Sequence, residues 1–365
     1  MEIAGETART RSEPLARATW TTALIALALG AIALVPRVAG LADFLTTDEA
    51  YNWLPRIGGF SGAIADGRWG DTVLTGHPGV TLLWLGELGL ALERAAVAAD
   101  WANAQSAVAH LAWLRLPVAV LQALCVPIGY LLLRRLLAPT IAIIAALLWA
   151  MSPYLVAYSR FYHLDGLLTT FVTLSVLCIL VGCRSAHARR WVAAAGGLTG
   201  LALLTKGSAL IVLPIVGLLL LWQIPAPTWG ARVRRTIGLY ALWLALAVAV
   251  FALLWPAMWV DPRHAIRSFF TIIISNGGRL NGDGQFFLGR AVADPGLLFY
   301  LVGGLFHMTP AMLIGLLGLP LALRRRTTDD GQDSTFQQLA LSLSKGSNVL
   351  GRNSSAACSH WRCSP

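Results

Sequence analysis

The sequence predicts an all-α integral membrane protein, a helical bundle of about eight spans with a long first outer loop carrying interfacial helices. Three observations lead there. The chain is 56% hydrophobic and only 13% charged, where a soluble domain carries roughly 25% charged residues. Its mean hydropathy is +0.65. Its arginines gather in short clusters between apolar runs, so the formal charge of +10 follows the positive-inside pattern and argues against a nucleic-acid partner.

The elements follow in order. Arg9, Arg11 and Arg17 hold a short N-terminal arm (1–19) in the cytoplasm, and Trp20 to Val35 forms a first, retained span rather than a cleaved signal. Further spans are expected near 116–133, 141–156, 167–181, 191–204, 209–222, 237–255 and 297–323. Arg134-Arg135, Arg184 with Arg189-Arg190, Arg232 with Arg234-Arg235, and Arg324-Arg325-Arg326 fall at every second connection. Alternation therefore puts all four clusters inside. The same alternation puts Asp48, Glu49, Asp66, Asp71, Asp100, Asp165, Asp261, Asp283 and Asp294 outside.

Two outer loops are long, about 37–115 and 256–295. Within the first, 79–98 is apolar enough to span, but Glu87 and Glu93 interrupt it. A crossing there would also move every later arginine cluster outside, so it is expected to lie in the interface. The membrane domain runs over 20–326. Beyond it, 327–365 is polar and Ser- and Gln-rich, and reads as a disordered or non-native tail. Its Cys358, His360 and Cys363 are weak metal ligands.

Charged groups at membrane boundaries are either functional or merely snorkelling. Asp48 and Glu49 sit between Thr46-Thr47 and Tyr51/Trp53, a setting in which a carboxylate can take a proton from a hydroxyl. His77, in Gly76-His77-Pro78-Gly79, reads first as part of a helix-starting turn and second as a site-facing imidazole. Arg160 and Asp165 either pair with each other or divide the work, the cation free for an anion and the acid at a helix start. Lys206, in Leu204-Thr205-Lys206-Gly207, is the sole lysine before the tail and lies on the same outer side as Asp48. His307, beside Met308-Thr309-Pro310, is a weaker candidate of the same kind.

These motifs in this order resemble the GT-C membrane glycosyltransferases of the family 39-like group, which includes protein O-mannosyltransferases and aminoarabinose transferases. The resemblance covers roughly 20–323 and rests on Thr47-Asp48-Glu49-Ala50-Tyr51, Gly76-His77-Pro78, Ser159-Arg160 with Leu164-Asp165-Gly166, Leu204-Thr205-Lys206-Gly207, Trp255-Pro256-Ala257 with Trp259-Val260-Asp261-Pro262, and His307-Met308-Thr309-Pro310. It implies a GT-C-like fold and inverting transfer from a polyprenyl-phosphate sugar to a protein, lipid or polysaccharide acceptor on the extracytoplasmic face of the cell membrane. By that analogy Asp48 is the base and Glu49 its partner. Arg160 and Lys206 bind the lipid phosphate, with His77, Asp165 and His307 in support; a divalent metal is left open. Family members have more spans, so this chain reads as shortened at its C-terminus. The alternatives are a transporter or lipid flippase and an inactive remnant. Ionisable residues at boundaries rather than at the midplane, with no internal repeat, speak against a transporter.

Overall fold

The structure, a computed structural model, describes residues 3–75, 77–101, 107–277 and 285–320. The expected tail (327–365), its Cys358, His360 and Cys363, and Gly76, Asp283 and Arg324-Arg325-Arg326 lie outside the described residues. So do the side chains of Arg9, Arg11 and Arg17. The chain divides into two compact units, Met1–Gly296 and Leu297–Pro365.

Among its described residues the first unit is built of helices joined by loops, with one hairpin. Its helices are α1 (Ile3–Val38), α2 (Leu54–Ala65), α3 (Val80–Ala98), α4 (Ala107–Leu133), α5 (Pro139–Met151), α6 (Pro153–Arg160), α7 (Leu164–Cys183), α8 (Ala188–Thr205), α9 (Val212–Gln223), α10 (Trp229–Leu254), α11 (Ala257–Val260) and α12 (Pro262–Gly277). Proline opens α5, α6 and α12, where its missing N–H and fixed φ cost nothing. Thr228 caps α10 by accepting from the Ala231 amide at 3.2 Å. The hairpin pairs β1 (Gln285–Phe287) with β2 (Arg290–Val292). Its two turn residues, Leu288 and Gly289, both have positive φ (49° and 81°), the signature of a tight I′ turn.

Four helices are long and apolar enough to cross a membrane: 19–38 of α1, 109–133 of α4, α7 and α10. Two bent pairs bring the number to six among the described residues. The remaining two expected spans correspond to α8, which carries Arg189-Arg190 in its first turn, and to the shorter apolar helix Gly207–Gln223. α3, the expected interfacial helix, is not among the candidates.

The span expected as continuous over 141–156 is broken instead. α5 and α6 meet at 50°, because Ser152 precedes Pro153 and is driven to ψ 118°, away from the helical region. In the second unit the segment expected as one span over 297–323 bends by 118° between α13 (Leu298–Phe306) and the helix Pro310–Pro320. Pro310 cannot continue a helix from the preceding turn.

Packing in the first unit uses small residues where helices touch. A Cβ on Gly196 would lie 2.5 Å from the Trp243 carbonyl oxygen, and one on Gly200 2.6 Å from that of Ala247. Glycine at this four-residue spacing lets the α8 and α10 backbones approach directly. Thr199 lies between them, sharing a 2.8 Å hydroxyl contact with Ser175 of α7 and accepting from the Trp243 indole at 3.2 Å.

The first loop caps the bundle by sharing an apolar core with Leu164, Leu167 and Phe171 of α7 and Ala202 and Leu204 of α8. Trp53, Ile57 and Phe60 pack with Val80, Leu82 and Leu83 of α3, Leu114 and Val118 of α4, Tyr162, and Trp255 and Phe269. Tyr162 donates its hydroxyl to the Leu82 carbonyl at 2.8 Å, and the Trp84 indole donates to Leu254 at 2.8 Å. This cap is the platform for the polar residues discussed next.

Candidate active site

Asp48 precedes a π-helical turn, Glu49–Trp53, which leads into α2. The wide turn brings two donors back onto one carboxylate. Asn52 donates to Oδ1 at 2.7 Å, and the Trp53 indole donates to Oδ2 at 2.6 Å. His163 Nε2 lies 3.2 Å from the same Oδ2. The Asp48 side chain stays 41% exposed.

His163 is the N-cap of α7, its Nδ1 accepting from the Asp165 amide at 3.2 Å. An accepting Nδ1 puts the proton of the neutral ring on Nε2, facing Asp48. Asp165 lies in the first turn of α7, where the helix dipole favours a carboxylate. Its Oδ1 receives the Lys206 ammonium at 2.8 Å. A polar chain thus runs from Asp48 through His163 and Asp165 to Lys206. Of the two expected arrangements, the structure shows Asp165 at a helix start rather than paired with Arg160, and its cation is Lys206.

The Lys206 turn is tied to the loop bearing His77. The Gly79 amide donates to the Thr205 carbonyl at 3.3 Å, and the Thr81 and Thr205 hydroxyls meet at 2.6 Å. Gly79 has φ +62°, and a Cβ there would fall 2.7 Å from the Trp53 ring, so both backbone and space call for glycine. α3 starts one residue later, at Val80, consistent with the expected turn. His77 is pushed below its usual pKa by burial, with Lys206 and Arg56 adding to the shift and Asp165 and Asp48 offsetting part of it. Its Nδ1 is buried without a hydrogen-bond partner among the described residues.

Glu49 takes a different place from Asp48. It is 0% exposed and accepts Arg115 Nε at 2.7 Å and Nη2 at 2.6 Å, a two-pronged ion pair. It also accepts the Thr46 amide and hydroxyl and the Tyr162 amide, the last at 2.7 Å. Burial alone would raise its pKa, but Arg115, Thr46 and the Tyr162 amide together hold it below the ordinary 4.5. Arg115 donates further to the Leu41 and Phe44 carbonyls at 2.6 and 2.7 Å.

Arg160, at the end of α6, donates to the Gly40 carbonyl at 3.0 Å and lies 3.7 Å from Asp43. His307 belongs to the second unit, where its Nδ1 meets the Gly303 carbonyl one turn earlier. Among the described residues no three His, Cys, Asp or Glu side chains group as ligands for a metal.

Three participants escaped the sequence reading. Arg115 stood at the edge of an expected span and read as its boundary. His163 stood inside a quoted motif, masked by the charges on either side. Arg56 lies 4.8 Å above the Trp53 ring and donates to Asn52 at 3.2 Å. A cation one helical turn after Asn52 was the signal available for it.

The model of dolichyl-phosphate-mannose-protein mannosyltransferases matches residues 84–266, half of the chain. The chain belongs to this family. The mannosyltransferase match takes in Arg115, Arg160, His163, Asp165 and Lys206, while Asp48 and Glu49 precede it. No curated protein matches the chain. Among solved structures, the Saccharomyces cerevisiae protein O-mannosyltransferase Pmt1–Pmt2 complex bound to the sugar donor is similar, with a TM-score of 0.51 and 20% identity. That match covers 67% of this chain and 34% of the yeast chain. At that identity the likeness establishes the shared multi-span transferase fold, and this mannosyltransferase-family chain spans about a third of the yeast chain's length.

Proposed function

We propose that the chain is a membrane glycosyltransferase that moves a sugar, mannose by its family's description, from a polyprenyl-phosphate donor to a hydroxyl acceptor on the extracytoplasmic face, with inversion. One observation carries the reading. A carboxylate offers about four lone-pair positions, and Asp48 has three occupied, by Asn52, Trp53 and His163. The remaining position, on Oδ1, is open on a partly exposed group held rigidly by its neighbours.

In this reading the acceptor hydroxyl donates to Asp48 Oδ1 and loses its proton there as its oxygen attacks the anomeric carbon. The bond from that carbon to the lipid phosphate breaks in the same step, and the phosphate leaves with the electron pair. Lys206 and Arg160 meet the negative charge that develops on it. Asp165 orients the Lys206 ammonium, and the neutral His77 is a donor or acceptor at the edge of the same pocket. Glu49 shapes the site from behind. Its carboxylate is fully engaged with Arg115, Thr46 and Tyr162, so it fixes the Asp48 backbone rather than meeting substrate. In this reading an arm over 1–19 precedes the membrane domain over 20–326 and a polar tail over 327–365, and the acceptor is a protein, a lipid or a polysaccharide. Family membership and the boundary position of the acids count against a transporter.

The test is transfer of radiolabelled sugar from a panel of polyprenyl-phosphate donors by the purified, reconstituted chain, with the product's anomeric configuration determined. Asp48→Asn should lower transfer by about 10²–10⁴-fold, read per folded molecule because Asn keeps only one of the two oxygens that Asn52, Trp53 and His163 engage. Wild-type rates in that variant would remove Asp48 as the base.

A further inference from the structure

Lys206 ends α8 (Ala188–Thr205). The opposite end of that helix lies about 27 Å away at 1.5 Å per residue and holds a cavity of about 820 Å³. Four arginines and His187 line it: Arg189 and Arg190 from the first turn of α8, and Arg234 and Arg235 from the second turn of α10, with Arg235 Nη1 also donating to the Pro225 carbonyl at 3.0 Å. No carboxylate is among the lining residues. Among the described residues, none of the four forms an ion pair with an acid.

Sidedness of insertion explains arginines in these two connections, but not their convergence on one cavity. Four like charges around a shared space repel one another unless an anion sits between them. The helices themselves create the space. They touch at Gly196 and Gly200, and the cavity opens on the N-terminal side of the Gly196–Trp243 contact. A Cβ on Gly238 would meet nothing within 4 Å. Leu239 and Leu242 add an apolar wall, and the neighbouring Ile237 is exposed on the flank of the span.

We propose that this cavity seats the phosphate-bearing head group of an anionic phospholipid from the surrounding leaflet. The guanidinium groups supply charge-assisted donors matched to phosphate oxygens. The leucine wall and the exposed flank of α10 suit a ligand whose other end is hydrocarbon, which a free phosphate lacks. Basic pockets between spanning helices are recurrent head-group sites. The inference rests on the chain being a membrane protein and does not depend on the transferase reading. The full length of α8 separates this site from the one around Lys206.

The test uses the full-length chain in detergent micelles, titrated with phosphatidylglycerol or phosphatidylcholine and read by native mass spectrometry. Wild type should retain phosphatidylglycerol about tenfold or more over phosphatidylcholine, the scale expected when several basic residues act together. Arg234→Gln/Arg235→Gln should lose that preference. Because these arginines also orient the chain, Gly238→Trp is the deciding variant: it sets an indole in the cavity beside the leucine wall, keeps every charge, and should abolish the preference as well. Equal retention of the two lipids by wild type would overturn the proposal, as would an unchanged preference in Gly238→Trp. Displacement of phosphatidylglycerol by inorganic phosphate at matched concentration would overturn the lipid assignment and identify a soluble anion as the occupant.

Discussion

Arg115→Met is the perturbation that most directly probes how the Asp48 segment is held. Arg115 is 1% exposed and Glu49 0%, so neither charge can turn to water when the other is removed. Breaking such a buried pair costs about 3–5 kcal/mol, because an uncompensated charge is left behind. Arg115 also holds the Leu41 and Phe44 carbonyls, so the loss falls on the whole stretch from 41 to 49. Arg68 is the internal control. It pairs with Asp66 and Asp71 while 55% exposed, and exposed pairs contribute about 0–1 kcal/mol. The assay is reversible unfolding of the full chain in mixed micelles, run as a double-mutant cycle with Arg115→Met, Glu49→Gln and the double variant. Each single substitution should cost about 3–5 kcal/mol, and the double variant should cost well below their sum. Additivity within about 0.5 kcal/mol, or an Arg115→Met cost no larger than that of Arg68→Met, would refute the argument. The pair also fixes a pH dependence. Glu49 has a folded pKa below its ordinary 4.5, so its stabilisation is complete above that value and drains away as pH falls through the folded one. Glu49→Gln should flatten this acid limb.

Three further outcomes follow from the same geometry. His163→Gln removes the link between Asp48 and the start of α7 and should lower transfer by about 10²-fold, on the scale of a 1 Å misplacement, with a changed pH–rate profile. Lys206→Met should raise the donor KM and lower kcat, and Lys206→Arg should recover part of both, as measured by steady-state transfer; a silent Lys206→Met would detach this cation from the lipid phosphate. Gly86→Ala should destabilise the cap by about 1–3 kcal/mol in the same unfolding assay, because its Cβ would fall 2.0 Å from the Tyr162 hydroxyl and 2.7 Å from Ile57.

The sequence revealed most where chemistry is local. Apolar runs located α1, α4, α7 and α10, because a long uninterrupted hydrophobic stretch has few other folded uses. The adjacent Asp48 and Glu49 drew notice as acids near a boundary, yet nothing in their order said that one faces outward and the other is sealed. That division depends on Arg115, more than sixty positions away, which periodicity cannot bring to mind. Pro153 and Pro310 were visible as letters, but their consequences, bends of 50° and 118°, were read past because the flanking runs were hydrophobic enough to join. The hairpin at 285–292 hid in a loop whose Leu288-Gly289 turn is not the usual Asn-Gly. The Asp165–Lys206 contact joins the start of one helix to the end of the next, so only the packing of α7 against α8 could disclose it.

The π-helical turn after Asp48 carries a consequence for how this stretch can vary in length. Asp48 is served by residues four and five positions later, Asn52 and Trp53. In a regular α-helix the fifth residue would point about 140° away from the first, and the indole could not return to the carboxylate. The acid and its aromatic donor are therefore joined by counting as much as by chemistry. Straightening the wide turn into a regular α-helix with all its residues kept would rotate Trp53 out of the cap beneath Gly79, whereas removing one residue together with the wide turn would return the tryptophan to about 40° from the acid. Substitutions at Ala50 or Tyr51 leave that count intact. Homologous chains should therefore keep the tryptophan five positions after the acid where the turn is wide, and four positions after it where the turn is a regular α-helix.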